Sequence, residues 1–97
     1  MAKGYWINFF RKIKDPQKVE AYRQLAGPVM EASGAKFLVR GDPKKVYEAG
    51  LELRTVVIEF ESVEKAIAVH DSPGYQAALK ALGDGAERDL RIVEGLS

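Results

Sequence analysis

The chain has one histidine and no cysteine, so few side chains are candidates for acid–base chemistry. His70 is the candidate general acid or base, with Glu59 or Asp71 as a polar partner. The competing interpretation is that its imidazole closes an apolar helical stripe and hydrogen-bonds the last carbonyls of that helix. A single histidine argues against a metal site, because such sites use several ligands. We therefore expect neither a metal nor a tightly bound cofactor, although haem bound through His70 is a remote alternative.

Other polar side chains stand in apolar surroundings and are candidate ligand contacts. Asn8 lies among aromatic residues, where a buried amide must find hydrogen-bond partners. Tyr75 and Tyr22 occupy apolar helical stripes and provide either phenols at a pocket or core packing. Arg40 ends an apolar segment, and its guanidinium could bind a carboxylate or phosphate of a ligand. The ligand-binding candidates are Asn8, Arg40, Glu59, His70 and Tyr75.

Ion pairing is the alternative role of Arg40, with Glu59 or Glu61 as its partner, within the chain or across a dimer. Glu59 alternates with Ile58 and Phe60 and should lie on the other face of a strand, toward a partner chain. A carboxylate buried there must be paired or protonated.

Length and charge set the class of protein. The 97 residues, 46% of them apolar, are expected to form a single domain over residues 1–97. The 15 basic and 14 acidic residues nearly cancel, which argues against nonspecific binding to nucleic acid or membranes. No apolar run approaches the length of a membrane span, and the amino terminus lacks a signal-peptide pattern. We expect a soluble, cytoplasmic protein.

Four segments rich in β-branched and aromatic residues predict strands, at 4–10, 36–40, 54–60 and 90–94. The first is apolar on both faces, which is typical of a central strand. Residues 44–53 have a weaker pattern and predict an irregular hairpin. Gly83-Asp84-Gly85 should end the preceding helix.

Two cap-plus-proline pairs, Asp15-Pro16 and Ser72-Pro73, predict helix starts, and Ser62 predicts a third. Gly27-Pro28 predicts a kink or break in the first helix. Apolar stripes with helical spacing should face the core in each helix. Their members are Tyr22, Leu25, Ala26 and Val29; Val63, Ala66, Ile67 and His70; and Tyr75, Ala78, Leu79 and Leu82.

This order predicts an α+β fold, a ferredoxin-like βαββαβ arrangement with a four-stranded antiparallel sheet and helices on one face. The uncovered face would carry Val57 and aromatic residues, so it should be covered by a partner. RNA is a remote alternative, because Thr55 and Val57 stand where an RNA-recognition module would carry stacking aromatics. We expect a second copy of the chain instead, packed sheet to sheet.

Five short segments resemble the domain of unknown function 1330 family: Gly4-Tyr5-Trp6, Phe37 to Gly41, Val57 to Glu64, Asp71 to Gln76 and Val93 to Gly95. The resemblance spans almost the whole chain and implies a dimeric α/β barrel of ferredoxin-like chains. It supplies no reaction, because the family has none established. Gly74 and His70 depart from the commoner family residues, so the resemblance assigns no catalytic role to His70.

The sequence thus favours a homodimer that binds a small, partly apolar or anionic molecule in a crevice between helices and sheet. The alternative is an enzyme resembling cofactor-independent monooxygenases or isomerases of the wider superfamily, with His70 moving a proton.

Overall fold

The computed structural model describes residues 2–96, which form four strands and three helices. The strands are β1 (Gly4–Ile13), β2 (Lys36–Gly41), β3 (Thr55–Phe60) and β4 (Ala86–Glu94). The helices are α1 (Pro16–Ala32), α2 (Val63–His70) and α3 (Pro73–Leu82). No helix in this part of the chain is long and apolar enough to cross a membrane.

The strands form one antiparallel sheet in the order β2-β3-β1-β4. This order confirms the predicted α+β ferredoxin-like arrangement and the central position of β1. From Gly4 to Phe10 and along β3, the even-numbered side chains point toward the helices and are buried: Trp6, Asn8, Phe10, Val56, Ile58 and Phe60. The odd-numbered residues of these segments face the side of the sheet that no helix covers. An irregularity after Phe10 interrupts this alternation in the last part of β1.

The core lies between the sheet and all three helices. Trp6 is 1% exposed and Tyr75 is fully buried, and their rings meet edge to face with centroids 4.9 Å apart. Gly4 permits a close approach at the start of β1, because a Cβ there would lie 2.5 Å from the carbonyl oxygen of Ser62. The strand and the amino terminus of α2 can therefore touch through their backbones.

Three predicted helix starts are confirmed. The Asp15 carboxylate accepts hydrogen bonds from the backbone of Gln17 and Lys18 at the start of α1. Ser62 and Ser72 cap α2 and α3 through their hydroxyl oxygens. These caps satisfy backbone donors that have no partner within the helix.

The predicted break at Gly27-Pro28 is wrong, since α1 runs without interruption from Pro16 to Ala32. Pro28 is exposed, so the carbonyl that loses its partner there lies on the solvent side of the helix. The predicted stripe of α1 is also wrong at Leu25, which is 45% exposed, because Met30 takes the inward position instead. The predicted stripe of α2 is wrong in the same way at Ile67, which is exposed, because Val69 takes the inward position.

The irregular hairpin predicted over residues 44–53 is wrong, because none of the described strands lies between Gly41 and Thr55. A turn occupies part of this loop, with the Gly50 amide donating to the carbonyl of Tyr47 at 2.9 Å. The last strand begins at Ala86, four residues before the predicted start at Leu90. The polar residues at its beginning lack the β-branched and aromatic composition that predicts a strand.

Candidate functional site

A cavity of about 230 Å³ lies between α1 and the helix-covered face of the sheet. Strands β1, β2 and β3 form its floor, and one side of α1 forms its roof. Its walls are mainly apolar, with polar groups at a few positions. The lining residues are Trp6, Asn8, Phe10, Glu20, Tyr22, Arg23, Gln24, Ala26, Gly27, Met30, Phe37, Arg40, Arg54, Val56 and Ile58.

Asn8 is the buried polar residue in the floor of this cavity. Its side chain is 4% exposed, and within residues 2–96 its carboxamide oxygen has no hydrogen-bond partner. A buried acceptor without a partner costs about 1–3 kcal/mol, so such groups are rare unless a ligand or water serves them. The position of Asn8 at the cavity therefore points to a binding group.

The register of the sheet places Arg40 and Asn8 in one row. Arg40 on β2 pairs with Val56 on β3, and Val56 pairs with Asn8 on β1. Two strand spacings separate the backbones of Arg40 and Asn8 by about 10 Å. Both side chains border the cavity, so a small molecule above Val56 can contact the two polar groups.

Three guanidinium groups border the cavity, those of Arg23, Arg40 and Arg54. Arg23 forms an ion pair with Glu20 at 3.2 Å, whereas Arg40 and Arg54 have no carboxylate within 4.0 Å among the residues described. Burial lowers the pKa of Arg54, and the charges of Arg23 and Arg40 lower it further. An arginine remains protonated in any case, so this cluster favours an anion.

Within the described chain, Arg40 does not form the predicted alternative ion pair with Glu59 or Glu61. Its guanidinium carbon lies 4.7 Å from the centre of the Phe37 ring, a cation–π contact that holds the side chain beside the cavity. The charge of Arg40 is therefore available to a ligand on the cavity side.

Tyr22 and Tyr75 form a buried pair at the other side of the cavity. Their hydroxyl oxygens are 2.7 Å apart, and Arg88 donates to Tyr22 at 3.0 Å and to Tyr75 at 3.4 Å. Tyr22 borders the cavity, whereas Tyr75 lies behind it in the core. Burial raises the pKa of Tyr75 well above its ordinary value, so this phenol keeps its proton.

His70 lies at the end of α2 and is not among the residues that line the cavity. Its ring packs against Trp6 and Tyr75, with centroids 5.7 and 5.2 Å apart. Its Nδ1 atom lies 3.0 Å from a carboxylate oxygen of Asp71, the partner anticipated from the sequence. The imidazole is thus separated from the cavity by the aromatic core.

Glu59 lies on the uncovered face of the sheet and cannot contact a molecule in the cavity. Its carboxylate accepts a hydrogen bond from the Tyr5 hydroxyl at 3.2 Å and lies 3.8 Å from the Lys3 ammonium. Burial, followed by the adjacent Glu59 carboxylate, raises the pKa of Tyr5. Of the five ligand-binding candidates, the structure brings only Asn8 and Arg40 to the cavity wall.

Sequence reasoning missed Arg54 and Arg88. Arg54 precedes β3, and its even number puts it in step with Val56 and Ile58, so strand alternation could have placed it on the helix-covered face. Arg88 lies two residues before the predicted start of the last strand, and its alternation with Leu90 was therefore hidden. It pairs with Phe10 across the sheet.

The cavity roof includes a stretch of bare backbone at Gly27. A Cβ built on this glycine would meet no atom within 4 Å.

Within residues 2–96, no group of three or more histidine, aspartate or glutamate side chains is arranged to hold a metal ion.

Comparison with solved structures shows the fold. A protein of unknown function from Rhodopseudomonas palustris is 18% identical, with a TM-score of 0.78 over 99% of this chain and 84% of that chain. A dimeric ferredoxin-like protein of unknown function from Thermobifida fusca is 20% identical, with a TM-score of 0.64 over 95% of this chain and 90% of that chain.

A third similar structure is the cofactor-independent oxygenase SnoaB from Streptomyces nogalater. It is 12% identical, with a TM-score of 0.66 over 100% of this chain and 96% of that chain. Identities this low show a common fold alone.

The curated proteins contain no match to this sequence. The family described as domain of unknown function (DUF1330) matches residues 3–96, nearly the whole length of the chain. The predicted resemblance is confirmed, and the chain belongs to the DUF1330 family.

Proposed function

We propose that this protein binds a small, partly apolar anion in the cavity between α1 and the sheet. The observation that carries the proposal is the carboxamide oxygen of Asn8, which is buried at the cavity without a partner. A water molecule held between the ligand and Asn8, or a donor on the ligand itself, would recover the free energy lost by burying this acceptor.

Arg40 and Arg54 would bind the anionic end of the ligand. Their charges are not neutralised by a carboxylate within 4.0 Å in the described chain, and both side chains border the cavity. Guanidinium groups bind carboxylates and phosphates through paired, charge-assisted hydrogen bonds. An anion placed between them would also relieve the repulsion that Arg40 exerts on Arg54.

The remaining walls determine the size and polarity of the ligand. Trp6, Met30, Phe37 and Ile58 provide apolar and aromatic surface. At about 230 Å³ the cavity is smaller than the ~300–1,000 Å³ typical of pockets for drug-sized ligands. A molecule with one ring and a charged substituent fits this space.

Calorimetric titration with substituted benzoates of one ring tests the proposal. We expect binding of 4-isopropenylbenzoate and a loss of roughly tenfold or more in affinity when Arg40→Met and Arg54→Met are combined, since each removes a charge-assisted hydrogen bond. The amide of the same compound, which lacks the charge, should bind more weakly to the unmodified protein.

Lys80→Met is the matched control, because it removes one positive charge from an exposed position of α3 outside the cavity. Its affinity should equal that of the unmodified protein. Equal affinity of the double arginine variant, or the absence of binding by any benzoate at millimolar concentration, would contradict the proposal.

We further propose that two chains pair through the uncovered sheet face. The side chains of this face include Ile7, Phe9, Val57 and Val93, and Phe9 and Val93 are 40% and 46% exposed in the single chain. Ile7 lies directly opposite Val57, so the apolar residues form a continuous surface across the two central strands.

Several observations favour a second copy as the occupant of this face. Similar structures from Thermobifida fusca and Bacteroides fragilis are described as dimeric. An apolar surface of this kind on a small domain is typical of an interface. Two sheets packed face to face would bury it around a two-fold axis.

A further inference from the structure

The hydrogen bonds of the tyrosine pair beside the cavity leave one phenol proton without an acceptor. Each phenol oxygen carries one proton, and Arg88 donates to both oxygens. At 2.7 Å, one phenol donates to the other. In residues 2–96 neither hydroxyl has a further acceptor, so one phenol proton is left without a partner.

Two arrangements of the protons are consistent with these distances. If Tyr22 donates to Tyr75, the free proton belongs to Tyr75, which is 0% exposed and does not border the cavity. If Tyr75 donates to Tyr22, the free proton belongs to Tyr22, which borders the cavity. A donor without an acceptor costs less free energy where a ligand or water can reach it. The second arrangement is therefore favoured.

The environment of Tyr75 keeps its phenol neutral. Burial and the adjacent Tyr22 raise the pKa of Tyr75, against the opposing effect of the Arg88 charge. The proton that Tyr75 donates in the favoured arrangement is therefore present. Tyr22 then accepts from both Tyr75 and Arg88, and two donors on one oxygen strengthen the donation of its own proton.

We infer that Tyr22 donates a hydrogen bond into the cavity to a carbonyl-type oxygen of the ligand. This inference rests on the proposed function and narrows the class of ligand. The bound molecule would be an anion with an apolar ring and a second oxygen that accepts a hydrogen bond. Tyr75 and Arg88 act as positioning residues that fix the direction of the Tyr22 proton.

The polar groups of the cavity are then distributed across the sheet in a defined order. Arg40 lies at the β2 side, Asn8 lies on the central strand β1, and the Tyr22 hydroxyl lies toward Arg88 on β4. A ring whose carboxylate faces Arg40 therefore directs its opposite substituent toward Tyr22. The site can discriminate between ligands of equal shape by the polarity of that substituent.

A pair of nearly isosteric probes tests the inference. 4-Acetylbenzoate carries a carbonyl oxygen where 4-isopropenylbenzoate carries a methylene group. We expect the unmodified protein to bind the acetyl compound roughly three- to tenfold more tightly, the fold-change typical of one hydrogen bond. In Tyr22→Phe this preference should disappear.

The carbonyl stretching band of bound 4-acetylbenzoate provides a direct readout. It should move to lower frequency on binding to the unmodified protein and return toward its unbound position in Tyr22→Phe. Tyr75→Phe should reduce the shift, because it removes the donor that orients Tyr22. Tyr47→Phe, in the exposed loop, should leave the shift unchanged.

The outcomes separate the inference from the proposed function. If both probes bind with equal affinity and Tyr22→Phe changes neither, the inference is wrong and the anion site stands. If neither probe binds at millimolar concentration, the proposed function and the inference both fail. A preference that survives Tyr22→Phe would assign the donor to another residue and would overturn the inference.

Discussion

The hydroxyl oxygens of Tyr22 on α1 and Tyr75 on α3 lie 2.7 Å apart, so a buried hydrogen bond joins the two helices across the core. The pair also connects the core to the cavity, because only Tyr22 borders it. Tyr75 therefore influences both the stability of the fold and the site.

Deprotonation of Tyr75 should make the protein less stable at alkaline pH. The folded state raises its pKa above the ordinary value near 10, so the folded protein binds this proton more tightly than the unfolded chain does. Its contribution to stability is complete below about pH 10 and is lost as the pH rises toward the folded pKa. We expect the free energy of unfolding to fall by up to about 1.4 kcal/mol per pH unit above pH ~10.

Urea denaturation between pH 9 and pH 11 measures this effect. Tyr75→Phe should show a shallower decline, because it lacks the titrating group, whereas the exposed Tyr47→Phe should follow the unmodified protein. Identical slopes for the unmodified protein and Tyr75→Phe would contradict the assignment.

Asn8→Leu should stabilise the ligand-free fold. The substitution replaces a buried carboxamide, whose oxygen has no partner among the described residues, by an apolar side chain of similar size. We expect the free energy of unfolding to rise by about 1–2 kcal/mol, which urea titration would measure. Asn8→Ala should gain less, because it leaves empty space. A less stable Asn8→Leu protein would show that the carboxamide stabilises the ligand-free fold.

His70→Gln should leave the affinity for benzoates unchanged within twofold. The imidazole packs behind Trp6 and Tyr75 rather than in the cavity wall, and a glutamine can keep a polar contact to Asp71. Calorimetric titration of the variant checks this expectation. A large loss of affinity in a folded His70→Gln protein would restore the alternative of a proton-transfer role at the site.

Val57→Lys should dissociate the proposed dimer. The substitution places a charge at the centre of the uncovered sheet face, directly opposite Ile7. Sedimentation at micromolar concentration should show a dimer for the unmodified protein and a folded monomer for the variant. Leu25→Lys, at an exposed position of α1, is the control and should remain dimeric. A folded monomer of the unmodified protein would exclude pairing through this face.

Much of the fold could be predicted because local signals agree with it. The pairs Asp15-Pro16 and Ser72-Pro73 mark helix starts through side-chain capping and a preset backbone angle. The alternation in Val56, Ile58 and Phe60 identified the buried face of β3. Leu25 was misplaced because it lies at one edge of the apolar stripe, about 60° from Tyr22 around the helix, and packing decides which edge turns inward.

The candidate site was less accessible to sequence reasoning. Asn8 and Arg40 were identified because a polar residue in an apolar strand needs a partner. Their relation depends on Val56, which lies between them in the sheet, and such a register cannot be inferred from either segment alone. The contact between Tyr22 and Arg88 joins residues 66 positions apart and appears only in the folded chain.

The fold itself does not require glycine at position 27, which borders the cavity. A side chain added there would project into open space rather than into the core, because no atom lies within 4 Å of its first carbon. Glycine costs a helix interior about 0.5–1 kcal/mol relative to alanine, so the chain gives up stability at position 27 that the packing of the described residues does not require it to give up.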